Sequence, residues 1–490
     1  MSDSNPGNTD TPVNDSASTS PTPATAAPQA KKKKIGGLYE KHNTIYVRAV
    51  EGRFVKWRWA LVWLTQIIFL ALPWLTWNGR QAVLLHLVER KFYIFGWVFW
   101  PQDVFFLAII LIISAYSLFF FTAIAGRLWC GYACPQTVYT EIFLWIEQKI
   151  EGDHAKRAKL DAAPMDGRKF RIKSLKHLIW LLFSLWTGFT LVAYFSPLKE
   201  LLAEAPTFSF GPWETFWIFF YGGFTYLFAG FMREQVCKFM CPYARFQSAM
   251  FDQDTLIITY DEARGEPRGV KRKGDDTPKG DCVDCGICVQ VCPTGIDIRH
   301  GLQYECIGCA ACVDACDEVM LKMNKPVGLV RYTTEHAMKE GWSKAEILKH
   351  VRRPRTMIYG AILLLIFAAF LWGLSTRTPL RVDVIRDRAS LGQEIPGGLI
   401  ENVFMLRVMN MTEKPRSYTL EVTGLDGLQV AGENRMTVNA AQTEEFTLPV
   451  HAPQDAGQPG ANRIFFEVVA DDDPNVKRRE KATFFFPADR

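Results

Sequence analysis

The chain has 490 residues, 49% of them hydrophobic, and its 56 Lys or Arg against 51 Asp or Glu leave a net charge of only +5. That length suits two or three domains, and the basic residues flank apolar runs, a distribution that excludes a nucleic-acid binder and points to membrane orientation. All twelve cysteines lie between Cys130 and Cys316, which excludes a disulfide-stapled secreted protein.

The first thirty residues are rich in Ser, Thr, Pro, Ala and Asn and lack the basic and apolar regions of a signal peptide. They read as a disordered tail within a basic N-terminal segment, 1–56. The run Lys31-Lys32-Lys33-Lys34 reads as retained charge facing lipid headgroups.

Five stretches are apolar over the roughly 20 residues that a membrane helix needs: 57–77, 104–125, 175–195, 212–232 and 357–375. Segment 126–174 carries nine Lys or Arg and the segment up to Lys56 carries eight, whereas 78–103 carries three and 196–211 only Lys199. The positive-inside rule therefore places the N-terminus, 126–174 and 233–356 in the cytoplasm, and the other loops and everything after 375 outside. The segment Val83–Trp100 reads as external and interfacial, not as a sixth span. Ionisable residues are nearly absent from the spans, with Asp103 and Glu214 at their edges. That argues against an ion transporter, and no two spans offer facing histidines for a haem.

A repeat runs through this core, 57–232. Spans one and two lead to Ala125-Gly126 and Cys130-x-x-x-Cys134-Pro135; spans three and four lead to Ala229-Gly230 and Cys237-x-x-x-Cys241-Pro242. Each copy reads as a helical hairpin ending in a dithiol, with the proline turning the chain at the second cysteine. Such a pair can hold a soft ion like Cu(I), cycle as a disulfide, or lie buried. Arg127, Arg233, Lys238 and Arg245 nearby are expected to favour the thiolate.

The strongest motif follows: Cys282-x-x-Cys285-x-x-Cys288-x-x-x-Cys292-Pro293, then Cys306-x-x-Cys309-x-x-Cys312-x-x-x-Cys316. In two-cluster ferredoxins the fourth cysteine of each run serves the other cluster. One [4Fe–4S] site would then use Cys282, Cys285, Cys288 and Cys316, the other Cys306, Cys309, Cys312 and Cys292. Zinc sites usually space their CxxC pairs much further apart. Gly286 and Gly308 suit tight turns around a cluster, and Asp317 stands where a proline is expected.

Beyond the fifth span, 376–490 carries short alternating runs at Val403–Met409, Arg435–Val438, Glu445–Val450, Ile464–Val469 and Ala482–Phe486. Strands at this spacing predict a small β-sandwich. Met405, Met409 and Met411 fall on one strand face, a candidate Cu(I) handover surface or an ordinary contact face; Phe404, Leu406 and Val408 fall on the other, the expected core side. The fold class is thus a multi-domain membrane protein: an α-helical transmembrane core, a ferredoxin-like α+β insert at 233–356, and an all-β C-terminal sandwich.

Two stretches make the chain recognisable. Trp129-Cys130-Gly131-Tyr132-Ala133-Cys134-Pro135-Gln136-Thr137-Val138-Tyr139 and its continuation Trp145–Asp153, with Arg233-Glu234-Gln235-Val236-Cys237-Lys238-Phe239-Met240-Cys241-Pro242-Tyr243-Ala244-Arg245, resemble the CcoG family, also called FixG or RdxA. So does Thr255–Arg268, and the likeness covers about 35–490. The family's usual Ile-Tyr-Pro-Arg is Ile45-Tyr46-Val47-Arg48 here, and Tyr139 stands where Trp is common. The resemblance implies a bacterial inner-membrane protein that reduces Cu(II) to Cu(I) for assembly of cbb-type cytochrome c oxidase. It also implies an immunoglobulin-like C-terminal domain, oxidase assembly factors and copper carriers as partners, the eight insert cysteines as cluster ligands, and Cys130, Cys134, Cys237 and Cys241 as copper or relay thiols.

Two other functions fit the same motifs: a subunit passing quinol or flavin electrons to another membrane enzyme, and a redox sensor or assembly scaffold. No flavin or nicotinamide fingerprint is present, so a partner or the quinone pool would supply the electrons.

Overall fold

The computed structural model describes residues 45–270, 278–387 and 392–487; the N-terminal tail and its lysine run lie outside them. Among the described residues five helices are long and apolar enough to cross a bilayer: Arg53–Trp74, Pro101–Ala125, Gly167–Val192, Pro212–Met232 and Pro354–Ser375. At about 1.5 Å per residue each covers the roughly 30 Å hydrocarbon core. The first starts ahead of the expected Trp57 and stops at Trp74, where Pro73 and a hairpin at Thr76–Gln81 end it. The third begins at Gly167, because the basic turns carrying Arg168, Lys169, Arg171 and Lys173 are helical too, with Asp166 capping Lys169 N.

Outward faces of the second and fifth spans leave Leu107, Leu111, Ile112, Leu364, Leu365 and Trp372 exposed, as a lipid-facing surface requires. The third and fourth spans meet through small residues. A Cβ on Gly188 would stand 2.3 Å from Ile218 O, and one on Gly222 would stand 3.0 Å from Ser184 O, so this crossing tolerates only glycine.

At one end of the spans Val83–His86, Lys91–Ile94 and Trp97–Phe99 form a three-stranded antiparallel meander in the segment expected to be interfacial. A β-sandwich packs on it. One sheet runs Gln429–Val430, Thr443–Pro453, Leu399–Asn410, Leu380–Arg386, and the other Arg435–Val438, Arg416–Thr423, Gly460–Ala470, Lys477–Phe486. Phe404 and Phe466 meet between the sheets with ring centres 5.0 Å apart, and Phe404, Leu406 and Val408 are fully buried as the alternation predicts. The methionine face does not survive as a surface. Met405 is half-exposed, but Met409 is buried, and Met411 packs beneath Val98 and Trp100 of the meander with its Sδ accepting from Arg377. Docking of the sandwich on the meander covers Met411, so with Met409 buried too only Met405 of the three remains open.

At the other end sits the insert. Its small sheet pairs Ile257–Tyr260 with Val330–Thr333, and its main helix is Ala311–Lys322. Asp314 of that helix accepts from Phe54 N and Val55 N, capping the first span's N-terminus in place of a side chain from Gly52. Residues about 260 apart in sequence thus meet at the root of the first span, which fixes the insert to the helical core.

Candidate functional site

The two cysteine runs of the insert fold into matching loops. Residues two and four places after the first cysteine have positive φ in both: Asp284 and Gly286 at 57° and 66°, Gly308 and Ala310 at 70° and 59°. This left-handed alternation curls each loop and turns its amides inward. The loops close around two narrow cavities. One is lined by Cys282, Cys285, Cys288 and Cys316, together with Tyr260, Leu329 and Met320. The other is lined by Cys292, Cys306, Cys309 and Cys312, together with Ile258, Ile296 and Ile298. Cys288 also borders the second cavity, so the two share a wall. Sulfur and hydrocarbon make up nearly all of both linings, a donor set that fits an iron–sulfur cube and offers no oxygen shell for a hard cation.

Asp317 does not loosen its loop. The helix runs on through it to Lys322, where a proline would break the ladder, and its Oδ1 accepts from Gly328 N at 2.8 Å, tying down the strand-entry turn.

The two CxxxCP turns are equivalent in backbone, more closely than their sequences. In each, the residue four places before the first cysteine takes an unusual conformation, Gly126 at φ 56°, ψ −125° and Arg233 at φ 42°, ψ −113°. In each, the second cysteine's N–H reaches back five residues, Cys134 N to Trp129 O at 2.9 Å and Cys241 N to Val236 O at 2.8 Å. Each second cysteine is extended and opens a new helix on its proline, Pro135–Glu151 and Pro242–Ala249. The repeat therefore aligns Gly126 with Arg233 and not with Gly230, because the fourth span continues three residues further in a wider, π-type turn through Met232. Arg233 holds its strained position by bonding Gly230 O at 2.8 Å and Glu147 at 2.9 Å.

These turns bring the four thiols together. Cys241 lies within electrostatic reach of Cys130 and Cys134, and all three act on Cys237. Cys130 Sγ donates to Gln247 Oε1 at 3.2 Å, and the fully buried Gln247 in turn donates to Thr122. The expected thiolate-favouring field is overturned. Burial pushes Cys130 and Cys237 up to about 12 and raises Cys134, outweighing the pull of Arg127 on Cys130 and Cys237. Arg233 spends its guanidinium on Glu147 instead. As free thiols Cys130, Cys134 and Cys237 are protonated near neutrality, and a metal must displace their protons.

The first turn abuts the second insert loop. A Cβ on Gly131 would stand 2.8 Å from Ile307 O and 2.9 Å from the Cys309 backbone, so the chains touch without a side chain between them. Arg127, buried, donates to Tyr304 O, to Cys306 O at 3.5 Å and to Ala244 O, bridging the insert loop, its own turn and the second CxxxCP helix. Arg58, on the second turn of the first span, is buried against Glu141 at 2.7 Å and lies within reach of Cys309 and Cys292. Two buried cations thus stand within reach of the second cavity's cysteines. Arg58 and Gln247 went unnoticed in the sequence; the available signal for Arg58 was a charge inside an apolar run, which is costly unless paired.

Beside the turns, Glu147 binds Arg157, Lys176 and Arg233 at 3.1, 3.4 and 2.9 Å. Burial alone would raise its carboxyl, but Arg233, Lys176 and Arg157 together hold it below the ordinary value. This knot ties the helix after the first CxxxCP to the root of the third span and to the second CxxxCP turn.

Comparison with known proteins gives three family models. Residues 232–335 match a 4Fe-4S dicluster domain, 106–152 a 4Fe-4S binding domain, and 370–487 the IG-like fold at the C-terminal of FixG. The chain is 35% identical to nitrogen fixation protein FixG of Rhizobium meliloti, over 92% of this chain and 94% of that one. It is 39% identical to protein RdxB of Cereibacter sphaeroides (87% and 92% covered) and 37% to protein RdxA of the same organism (85% and 91%). The crystal structure of a FixG-related protein from Vibrio parahaemolyticus aligns at 24% identity with a TM-score of 0.21, covering 22% of this chain and 96% of that one.

Proposed function

The chain belongs to the FixG/RdxA family of iron–sulfur electron-transfer proteins, and from that premise we propose that it reduces Cu(II) to Cu(I) for assembly of a cbb-type cytochrome c oxidase. The observation that carries this reading is the contact of the first CxxxCP turn with the Ile307–Cys309 loop. It joins the electron store to a set of soft ligands without an intervening side chain.

Cys282, Cys285, Cys288 and Cys316 would hold one [4Fe–4S] cluster, and Cys292, Cys306, Cys309 and Cys312 the other. When bound, each supplies a one-electron store. The shared wall at Cys288 and the backbone contact at Gly131 line up the two cavities with Cys130, Cys134, Cys237 and Cys241. Arg58 and Arg127 oppose the negative charge that thiolates and reduced iron bring into a buried site, and so favour uptake of the electron. Each Cu(II) gains one electron and leaves as Cu(I). Soft sulfur ligands of a copper carrier prefer the reduced ion, and its capture draws the transfer forward.

In this reading the insert, 233–356, and the basic loop 126–174 face the cytoplasm of a bacterial inner membrane, and the sandwich, 376–490, is periplasmic, as the basic residues in the loops imply. Copper carriers and oxidase assembly factors are the partners, and the quinone pool is a candidate donor. The test is direct: anaerobic protein with reduced clusters, mixed with Cu(II), should bleach to the oxidised spectrum and release Cu(I) to a colorimetric chelator, electron for electron. Clusters that stay reduced in excess Cu(II) would rule copper out and favour a protein electron acceptor.

A further inference from the structure

We propose that Cys130, Cys134, Cys237 and Cys241 together hold a third [4Fe–4S] cluster, so that the membrane end of the electron path is itself an iron–sulfur centre and not a bare dithiol or a copper site. The proposal deepens the reading of these cysteines as an electron terminus and rests on it only for the direction of flow.

Four observations carry it. The donor set is four thiols, two from each half of the internal repeat, which is the number a cube takes. The four act on one another, with Cys241 in electrostatic reach of Cys130 and Cys134 and all three in reach of Cys237, and among the described residues no three Cys, His, Asp or Glu side chains form a group arranged to hold a single metal ion. The same holds for the eight insert cysteines around their two cavities, so the membrane set, like them, is not arranged as a tetrahedral zinc site. The surroundings also suit an anionic centre taken out of water. Cys134 and Cys241 stand at the N-caps of new helices, with Gln136 N and Thr137 N directed at the Cys134 sulfur, and Arg127 lies within reach of Cys130, Cys237, Cys241 and Cys306. Finally, the match to a 4Fe-4S binding domain covers Cys130 and Cys134 but ends at residue 152, leaving that domain with two of the four ligands. The fold supplies the missing pair as Cys237 and Cys241, from the turn with the same backbone.

The two halves of the repeat then have one purpose: each hairpin contributes half a cage, and neither is complete alone. Gln247, fully buried between Cys130 and Thr122, positions the first pair through its hydrogen bond to Cys130.

Iron and acid-labile sulfide should be counted per chain in anaerobically purified full-length protein grown on 57Fe, with Mössbauer and spin-integrated EPR spectra of the reduced form. The proposal expects about twelve iron atoms and twelve sulfides per chain, falling to about eight in Cys134→Ser/Cys241→Ser while the two insert signals keep their intensity. Eight irons in wild type with both insert clusters fully occupied would overturn it, as would an iron count unchanged by the double variant. Eight irons plus one bound copper would overturn the third cluster and leave copper reduction standing. Twelve irons with no reaction towards Cu(II) would do the reverse.

Discussion

In the insert, each cavity takes three of its four cysteines from one seven-residue loop, whereas in the membrane turns each segment gives only two cysteines and the four meet across two hairpins. The insert site is therefore built by local chain geometry, left-handed residues at matching places in each loop. The membrane site is built by packing: Arg127, Glu147 and Gln247 hold two distant turns in one place. A locally built site should fail by losing ligands, and a packed one should fail by losing supports while every cysteine remains.

The largest expected effect sharpens the first half of that contrast. Cys309→Ser removes a ligand with no substitute in its loop, so iron should fall by about four atoms per chain and Cu(II) reduction should be lost; retention of both insert EPR signals would contradict the assignment. Glu147→Gln tests the second half. Removing one partner from a buried ion network typically costs about 3–5 kcal/mol, so the detergent-solubilised protein should melt markedly earlier although no cysteine has changed. The sign with pH follows from the depressed carboxyl. The stabilisation from Glu147 is complete above the ordinary carboxylate range and is lost as acid protonates it. The wild-type melting temperature should thus fall more steeply on acidification than that of the glutamine variant.

Gly131→Val attacks the joint between the two regions. Its side chain meets Ile307 O and the Cys309 backbone, an overpacking that costs about 1–3 kcal/mol. Both sets of cysteines survive, yet electron passage to Cu(II) should slow; an unchanged rate with a displaced loop would break the proposed contact. The smallest effect is at the cap. Asp314→Ala leaves Phe54 N and Val55 N without their acceptor, a loss of about 0.5–2 kcal/mol, visible as faster amide exchange at the root of the first span.

The same contrast explains what could be read from the chain alone. The CxxCxxC runs, the five apolar stretches and the sandwich strands announce themselves by spacing and period, since each is decided within ten to twenty residues. Arg416–Thr423 alternates too, but the polar outer face of Ser417, Thr419, Glu421 and Thr423 hides it beside the more apolar runs. The gathering of Cys130 with Cys241 was not readable, because it depends on contacts between the two hairpins, Arg127 with Ala244 O, Glu147 with Arg233 and Cys130 with Gln247. The fate of Met411 was hidden for a similar reason: its position predicts an open face, and the docked meander covers it. The thiol environment was misjudged because sequence shows nearby cations but not burial, and burial dominates Cys130 and Cys237.

The central claim is that electrons leave the insert through the four membrane cysteines, and freeze-quenched EPR of the insert clusters after Cu(II) addition tests it most directly. Wild-type and Cys130→Ser/Cys237→Ser proteins should both start with the two insert clusters fully reduced. The account predicts rapid oxidation with stoichiometric Cu(I) in wild type and persistently reduced clusters in the variant. Equal oxidation rates in the two proteins would contradict it.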